Sequence, residues 1–295
     1  MGVRISQAPW DPRHFQIAVL ALLLAYGALG LDFEIRPAIA FGVVLAALGS
    51  QFVFTRLWKL PHFDPRSALI SALSLCLLLR TTSLSTALIA GFLAIGSKFL
   101  LRYRGKHCFN PTAFALVGVL LLTDDAWVSA GQWGAAPLFG LALAGFGSLV
   151  LWRARRSDVT WAFLGSYAVL LFGRALWLGD PLAIPLHAME SGAFLIFAFF
   201  MISDPRTTPD SRMGRIAFAA LVATGAIFIR FELYHTNALL WSLVICAPLV
   251  PLIDRIFEGD RYEWGDTPRK DHHGGKTDVE KSDLGDLLPG LGAAG

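Results

Sequence analysis

The 295 residues are 55% hydrophobic and 16% charged, against about a quarter charged in an average soluble domain, which excludes an ordinary soluble globular protein. Lys and Arg exceed Asp and Glu by a net charge of only +3, too small a surplus to call for a nucleic-acid partner. The cysteines Cys76, Cys108 and Cys246 make no CxxC, CxxCH or ferredoxin spacing, which excludes cysteine-held zinc, attached haem and a cluster ligated by this chain alone; no metal site is expected.

A hydrocarbon core about 30 Å thick needs roughly 20 apolar residues per helix, because backbone groups cannot be left unpaired in lipid. That ruler predicts an all-α, polytopic membrane protein with about ten transmembrane helices in residues 1–258: 15–31, 37–54, 67–79, 84–101, 111–122, 135–152, 161–177, 185–202, 213–229 and 237–253. The first run follows Arg4 and Arg13 but ends in Asp32, Phe33 and Glu34 with no small-residue cleavage pattern, so it is read as a retained span. The third and fifth runs are too short to cross alone, which points either to half-helices or to local tilt and thinning. Residues 259–295, rich in Asp, Lys, Gly and His, read as a disordered polar tail.

Alternate connections carry the basic residues: Arg4 and Arg13; Arg56, Lys59 and Arg66; Lys98, Arg102, Arg104 and Lys106; Arg153, Arg155 and Arg156; Arg206, Arg212 and Arg215. The other connections hold only Arg36, Arg80, Arg174 and Arg230. This asymmetry places both termini and the basic loops on the cytoplasmic side of a bacterial inner membrane. Ten spans divide into two halves of five, and an odd number per half makes the second half inverted relative to the first.

Three stretches could carry chemistry. In GSKFLLRYRGKHCFNPTAF (96–114), Lys98 and Lys106 surround one helix end and Asn110-Pro111 opens the next helix. That is either an anion-friendly site or a basic loop with a good helix start. In ESGAFLIFAFFMISDPRTTPDSRMG (190–214), Glu190 lies in an apolar run, where an ionisable group usually faces a cavity or a partner. It is the candidate ion pathway, with an interfacial position as the alternative. Asp204, Arg206, Thr207 and Thr208 either bind phosphate or make a turn that caps the ninth helix. The third stretch, 229–254, holds Arg230, Glu232 and Tyr234 at a connection, then Pro248, Pro251 and Asp254, a pattern that predicts a kinked last helix.

The order and spacing of these elements resemble the NqrB/RnfD family, the membrane subunits of the sodium-translocating NADH:quinone oxidoreductase and of the Rnf electron-transport complex. The elements that carry the resemblance are Phe109-Asn110-Pro111, Ser191-Gly192, Phe199-Phe200-Met201, Ser203-Asp204-Pro205-Arg206-Thr207-Thr208-Pro209 and Pro251-Leu252-Ile253-Asp254. The resemblance implies a ten-helix bundle of two inverted halves and a membrane subunit of an electron-transport or electron-transport-coupled ion-translocating system, with partner subunits in the lipid bilayer. Family members carry FMN as a phosphoester on the Thr of a Ser-Gly-Ala-Thr-Pro-Leu element. Here the matching residue is Ala136, which has no hydroxyl to esterify. The chain in this respect resembles the shorter, stand-alone UnbU-like members. Non-covalent FMN or riboflavin is the cofactor expectation, lined by Lys98, Lys106, Asn110, Asp204, Arg206 and Thr208. The alternatives are a redox-free transporter or channel for a small solute or ion, and a membrane anchor for an extracytoplasmic partner.

Overall fold

In the computed structural model the described residues are 11–30, 35–128 and 157–259. The N-terminal half contributes α1 (Pro12–Gly30), α2 (Pro37–Leu57), α3 (Arg66–Leu78), β1 (Leu79–Thr81), α4 (Leu84–Leu100), β2 (Arg102–Tyr103), β3 (Lys106–His107), α5 (Pro111–Leu122) and β4 (Ala126–Val128). The C-terminal half contributes α6 (Ser157–Leu178), α7 (Ala183–Met189), α8 (Gly192–Ile196) running on as a π turn (Phe197–Met201), α9 (Arg212–Phe231), α10 (Ala238–Cys246), a 3₁₀ turn (Ala247–Leu249) and α11 (Val250–Ile256). The sixth predicted span, 135–152, the tail beyond residue 259 and Ala136 lie outside the described residues.

Local chemistry sets the helix starts. Ser83 caps α4 by accepting from the Thr86 amide at 3.3 Å, and Ser211 caps α9 by accepting from the Gly214 amide at 3.0 Å. Asn110 caps α5 ahead of Pro111 at its first position, where the missing proline N–H costs no hydrogen bond. Helices α1, α2, α6, α9 and the segment Ala238–Ile256 are long and apolar enough to cross a bilayer.

The two short spans are completed by strands. Helix α3 passes directly into β1 and α5 leads to β4, and these strands pair antiparallel in the register Leu79 with Val128, Arg80 with Trp127 and Thr81 with Ala126. Thirteen helical residues rise about 20 Å and three extended ones about 10 Å, which together match the hydrocarbon thickness. Pairing satisfies backbone groups that lipid could not, and all of Leu79, Arg80 and Thr81 are buried. A second ribbon, β2 with β3, closes through Arg104 and Gly105, both at positive φ, as a two-residue hairpin turn requires.

The eighth span differs from its expectation. The apolar run 185–202 is not one helix: α7 and the Gly192–Met201 segment meet at a 54° bend. Ser191 is extended at the break and caps the second piece by accepting from the Phe194 amide, so the sequence starts a new helix where hydropathy alone sees continuity. In the tenth span the α-helical ladder is interrupted by a 3₁₀ turn that contains Pro248.

Packing repeats between the halves. The most extensive pairings are α2 with α4 and α6 with α9, which correspond to the second and fourth predicted spans of each half, followed by α4 with α5 and α9 with α10. Arg80-Thr81-Thr82 and Arg206-Thr207-Thr208 precede the fourth predicted span of each half, at opposite ends of the bundle. Small residues allow the close approach: a Cβ on Gly91 would sit 2.7 Å from the Val43 carbonyl, and one on Gly225 would sit 2.5 Å from Ser242 Oγ.

Candidate functional site

Two polar regions lie at the two ends of the bundle. The first gathers the basic connections. Ahead of α3, Asp11 and Asp64 alternate with Arg13 and Arg66 in a closed ring of ion pairs, at 2.6, 2.7, 2.8 and 2.8 Å. Partial burial pulls the Asp64 carboxyl upward, but hydrogen bonds from Arg66 and the charge of Arg13 outweigh it and hold the group down at about 2.

All six predicted cofactor residues lie at this end. Lys98, in the last turn of α4, is buried, and its ammonium donates to the Ser67 carbonyl at 2.7 Å and to Ser67 Oγ at 3.0 Å. Lys106, in β3, bridges Asp210 Oδ1 at 2.9 Å and Asp254 Oδ2 at 2.8 Å, while the Asp210 amide donates to Asp254 Oδ1 at 2.8 Å. Asn110 accepts from the Ala113 amide at 3.0 Å and donates through Nδ2 to the Met201 carbonyl at 3.1 Å. Asp204 organises its own turn: its carbonyl accepts from the hydroxyls of Thr207 and Thr208, at 3.3 and 3.1 Å, and its Oδ1 accepts from the Arg206 amide at 3.0 Å. The three motifs, Phe-Asn-Pro, Ser-Asp-Pro-Arg-Thr-Thr-Pro and Pro-Leu-Ile-Asp, thus converge in a latch that ties β3 and α5 to the turn before α9 and to α11. Asp254 stood out in the sequence as the end of the Pro-Leu-Ile-Asp motif, whereas Asp210 and the neighbouring Arg215–Asp158 pair, with Nε to Oδ2 at 2.9 Å, were legible only as charges near helix ends.

His107, opposite Arg102 in the β2–β3 ribbon, shares the Lys98 carbonyl with the Arg102 guanidinium; its own Nδ1 contact is 3.1 Å. Burial pushes the imidazole down to about 3, and the charges of Lys98, Arg102 and Arg206 push in the same direction, so the ring is neutral at physiological pH.

The second region, at the far end, is a cavity of about 900 Å³ formed where the α7–α8 break meets the N-terminus of α10. Tyr167, Phe194 and Phe197 make an aromatic wall. Tyr167 and Phe194 lie 5.1 Å apart between ring centroids, and Phe163, behind them, is 5.7 Å from Tyr167 and 5.1 Å from Phe197. Arg230 donates to the Tyr167 hydroxyl at 3.3 Å. Asn237 is left-handed at φ 57° and gives α10 no side-chain cap, so the first amides of that helix lack a side-chain acceptor, and its first residues Ala238 and Leu239 line the cavity. Leu78 and Met201 also line it. A chamber of this size, mostly apolar with a few convergent polar groups, has the build of a site for a medium-sized organic ligand.

Glu190, the predicted ion-pathway residue, is separate from the six. It is the C-cap of α7 at the break, lines the cavity, and is 58% exposed with the His187 ring nitrogen 3.9 Å away. The expectation that it sits inside a continuous apolar span is corrected by the bend that Ser191 imposes. The aromatic wall was not singled out from the sequence; a tyrosine in the interior of the span 161–177 was the available signal. Among the described residues no cluster of His, Cys, Asp and Glu could hold a metal ion.

Comparison with known proteins gives this arrangement a relationship. Three relatives, each named as the D component of an ion-translocating oxidoreductase complex, are similar to parts of the chain. The one from Tolumonas auensis is 36% identical over 80 residues, 27% of this chain and 23% of the relative. That from Cronobacter sakazakii is 32% identical over 138 residues, 42% of this chain and 39% of the relative. That from Alcanivorax borkumensis is 32% identical over 108 residues, 35% of this chain and 32% of the relative. The matched stretches therefore span well under half the length of these relatives. Residues 121–263, which hold the Asp204–Thr208 turn, the aromatic wall and the Pro-Leu-Ile-Asp end, match the NQR2, RnfD, RnfE family. That is the NqrB/RnfD family its motifs resemble, and the match covers a little under half of the chain.

Proposed function

We propose that the protein is a membrane subunit of an ion-translocating electron-transport complex of a bacterial inner membrane, with its basic end and both termini cytoplasmic, and that it holds a flavin non-covalently in the far-end cavity. The observation that carries this reading is the aromatic-walled chamber of about 900 Å³ beside Arg230, in a chain similar to proteins named as components of an ion-translocating oxidoreductase. Ala136 rules out a phosphoester at that position, so retention would rest on packing and on charge alone.

The residues fit such a group. Tyr167, Phe194 and Phe197 offer ring faces and edges to a flat aromatic system, worth about 0.5–1.5 kcal/mol per ring pair beyond simple burial. Arg230 and the uncapped amides of α10 would hold an anionic phosphate or ring oxygen, the first by a charged pair of donors and the second by the helix dipole. A bound flavin supplies one- and two-electron transfer; the chain orients it and keeps water from its ring. Lys106, Asn110 and Asp204 have partners within the latch at the other end, which favours the cavity over that end.

The test is an absorption spectrum of the full chain purified in mild detergent and supplemented with FMN or riboflavin. A retained flavin band, weakened by Arg230→Ala and by Phe194→Ala, is expected; failure of either flavin to bind overturns the reading. The helix break at Glu190 beside the chamber favours a second reading, a redox-free ion or solute path. Flux in proteoliposomes altered by Glu190→Gln without any bound chromophore would select it.

A further inference from the structure

We propose that Arg102 and Arg206 together clasp the headgroup phosphate of an anionic phospholipid at the basic end of the bundle, between the β2–β3 hairpin and the Asp204–Thr208 turn. This assignment is independent of the flavin reading and of the far-end cavity.

Four cations of this end are neutralised by carboxylates. Arg13 and Arg66 are neutralised by Asp11 and Asp64, Lys106 by Asp210 and Asp254, and Arg215 by Asp158. Arg102 and Arg206 are in no ion pair with a carboxylate among the described residues, although carboxylates are plentiful nearby. Arg102 uses only Nε, on the Lys98 carbonyl at the end of α4, and its guanidinium lies 5.2 Å from the Phe99 ring centre. Arg206 is fixed through its backbone, whose amide donates to Asp204. Both side chains are exposed, yet both backbones are tightly held: Arg102 in a hairpin pair with His107, and Arg206 in a turn closed by two threonine hydroxyls.

The hairpin and the turn that carry them are held side by side, by Lys106 on Asp210 at 2.9 Å and by the Asn110 amide on the Met201 carbonyl at 3.1 Å. His107 lies in reach of both charges, which help depress its imidazole. Positioned cations that repel are stabilised by an anion shared between them, and the guanidinium fork matches phosphate oxygens two at a time. The level in the bilayer selects the source of that phosphate. Leu100, two residues before Arg102, is 58% exposed and Met213, one residue into α9, is 59% exposed. Apolar side chains facing lipid thus give way to arginines over one turn, at the depth where acyl chains meet headgroups. A headgroup carrying its own cation would set that cation against the arginines, so a net-anionic lipid fits and a zwitterionic one does not.

The experiment follows thermal unfolding of the full chain in mild detergent while phosphatidylglycerol, phosphatidylcholine or inorganic phosphate is titrated in. Phosphatidylglycerol is expected to raise the midpoint saturably, with about fivefold weaker apparent affinity for each of Arg102→Gln and Arg206→Gln, and the other two additives to do neither. An equal response to phosphatidylcholine, or an unchanged response in the double variant, overturns the proposal. An effect reproduced by inorganic phosphate alone also overturns it, in favour of a soluble-anion site. Should the double variant not fold, the wild type carries the test through His107. Bound phosphate between the arginines raises the titration midpoint of its imidazole above about 3 in nitrogen-15 spectra, and a midpoint indifferent to phosphatidylglycerol sinks the assignment.

Discussion

Asn110 and Met201 join the two ends of the site: the Asn110 amide donates to the Met201 carbonyl at 3.1 Å, and Met201 lines the far-end cavity. One residue therefore belongs both to the latch and to the chamber. The carbonyls of the π turn that ends in Met201 are taken up from several sides, with Thr160 Oγ1 donating to Ala198 at 2.8 Å and Ser203 Oγ donating to Phe199 at 2.6 Å. A π turn misaligns the helical ladder, and side-chain donors from α5, α6 and the following turn replace the bonds it forfeits.

Replacing Asn110 by Ala removes both its bonds, the α5 cap and the link to Met201, and leaves a buried carbonyl short of a donor. The expected loss is about 1–3 kcal/mol, read as a lower unfolding midpoint in detergent. Asn110→Asp keeps the cap acceptor but presents no donor to Met201, so it separates the two contributions. A variant with wild-type stability in both forms would show that neither bond matters.

The ring of Asp11, Arg13, Asp64 and Arg66 predicts acid sensitivity. The Asp64 carboxyl is held at about 2 in the folded chain against an ordinary 3.8. Between those values the unfolded chain binds the proton that the folded chain refuses. Stability is therefore full above about pH 4 and declines as pH falls toward 2. Asp64→Asn should flatten the midpoint-against-pH curve in that window; an equally steep curve would remove Asp64 from the account. The side chain is 35% exposed, so the effect is a modest one.

Gly91 and Gly225 predict steric limits. A methyl at Gly91 meets the Val43 carbonyl at 2.7 Å and the Ala47 amide at 3.0 Å, both backbone, whereas Gly165 in α6 has nothing within 4 Å. Gly91→Ala should lower the unfolding midpoint by pushing α2 off α4, at about 1–3 kcal/mol. Gly165→Ala should be neutral or raise it, since alanine is the better helix former by about 1 kcal/mol. Equal responses at the two positions would refute the close-crossing argument.

The spans were legible because hydropathy is a property of consecutive residues and the bilayer reads it the same way. Nine of the ten predicted runs coincide with described helical segments, two of them broken. What hydropathy cannot register is pairing across distance. The strands that complete α3 and α5 lie far apart in the chain and show no local period over three residues. The motif residues stood out individually, but Lys106 finds Asp254 across 148 positions and Lys98 finds Ser67 across 31, so their roles as latch members came only with the fold. The cavity was hidden for a further reason. It depends on one extended residue, Ser191, and one left-handed residue, Asn237, neither of which changes the apolar count.

The latch itself yields an ordering of effects. Lys106 stands between two carboxylates, Asp210 and Asp254, each within 3 Å of its ammonium. All three side chains are mostly buried, with 15–20% exposure, so their charges are poorly screened. Lys106→Met leaves two like charges facing each other across the space the ammonium filled, and the pair must then take up a proton or separate. Asp254→Asn leaves one ion pair intact and an amide that can still accept from Asp210 N–H. The lysine variant should therefore lose more stability than the asparagine variant, and its loss should shrink as pH falls and one carboxylate is protonated. Adding Asp210→Asn to Lys106→Met should recover part of the loss, because the like-charge contact is gone. Unfolding midpoints of the three variants between pH 5 and 8 check this, and a lysine variant no less stable than Asp254→Asn would mean that the latch is held by its backbone bonds instead.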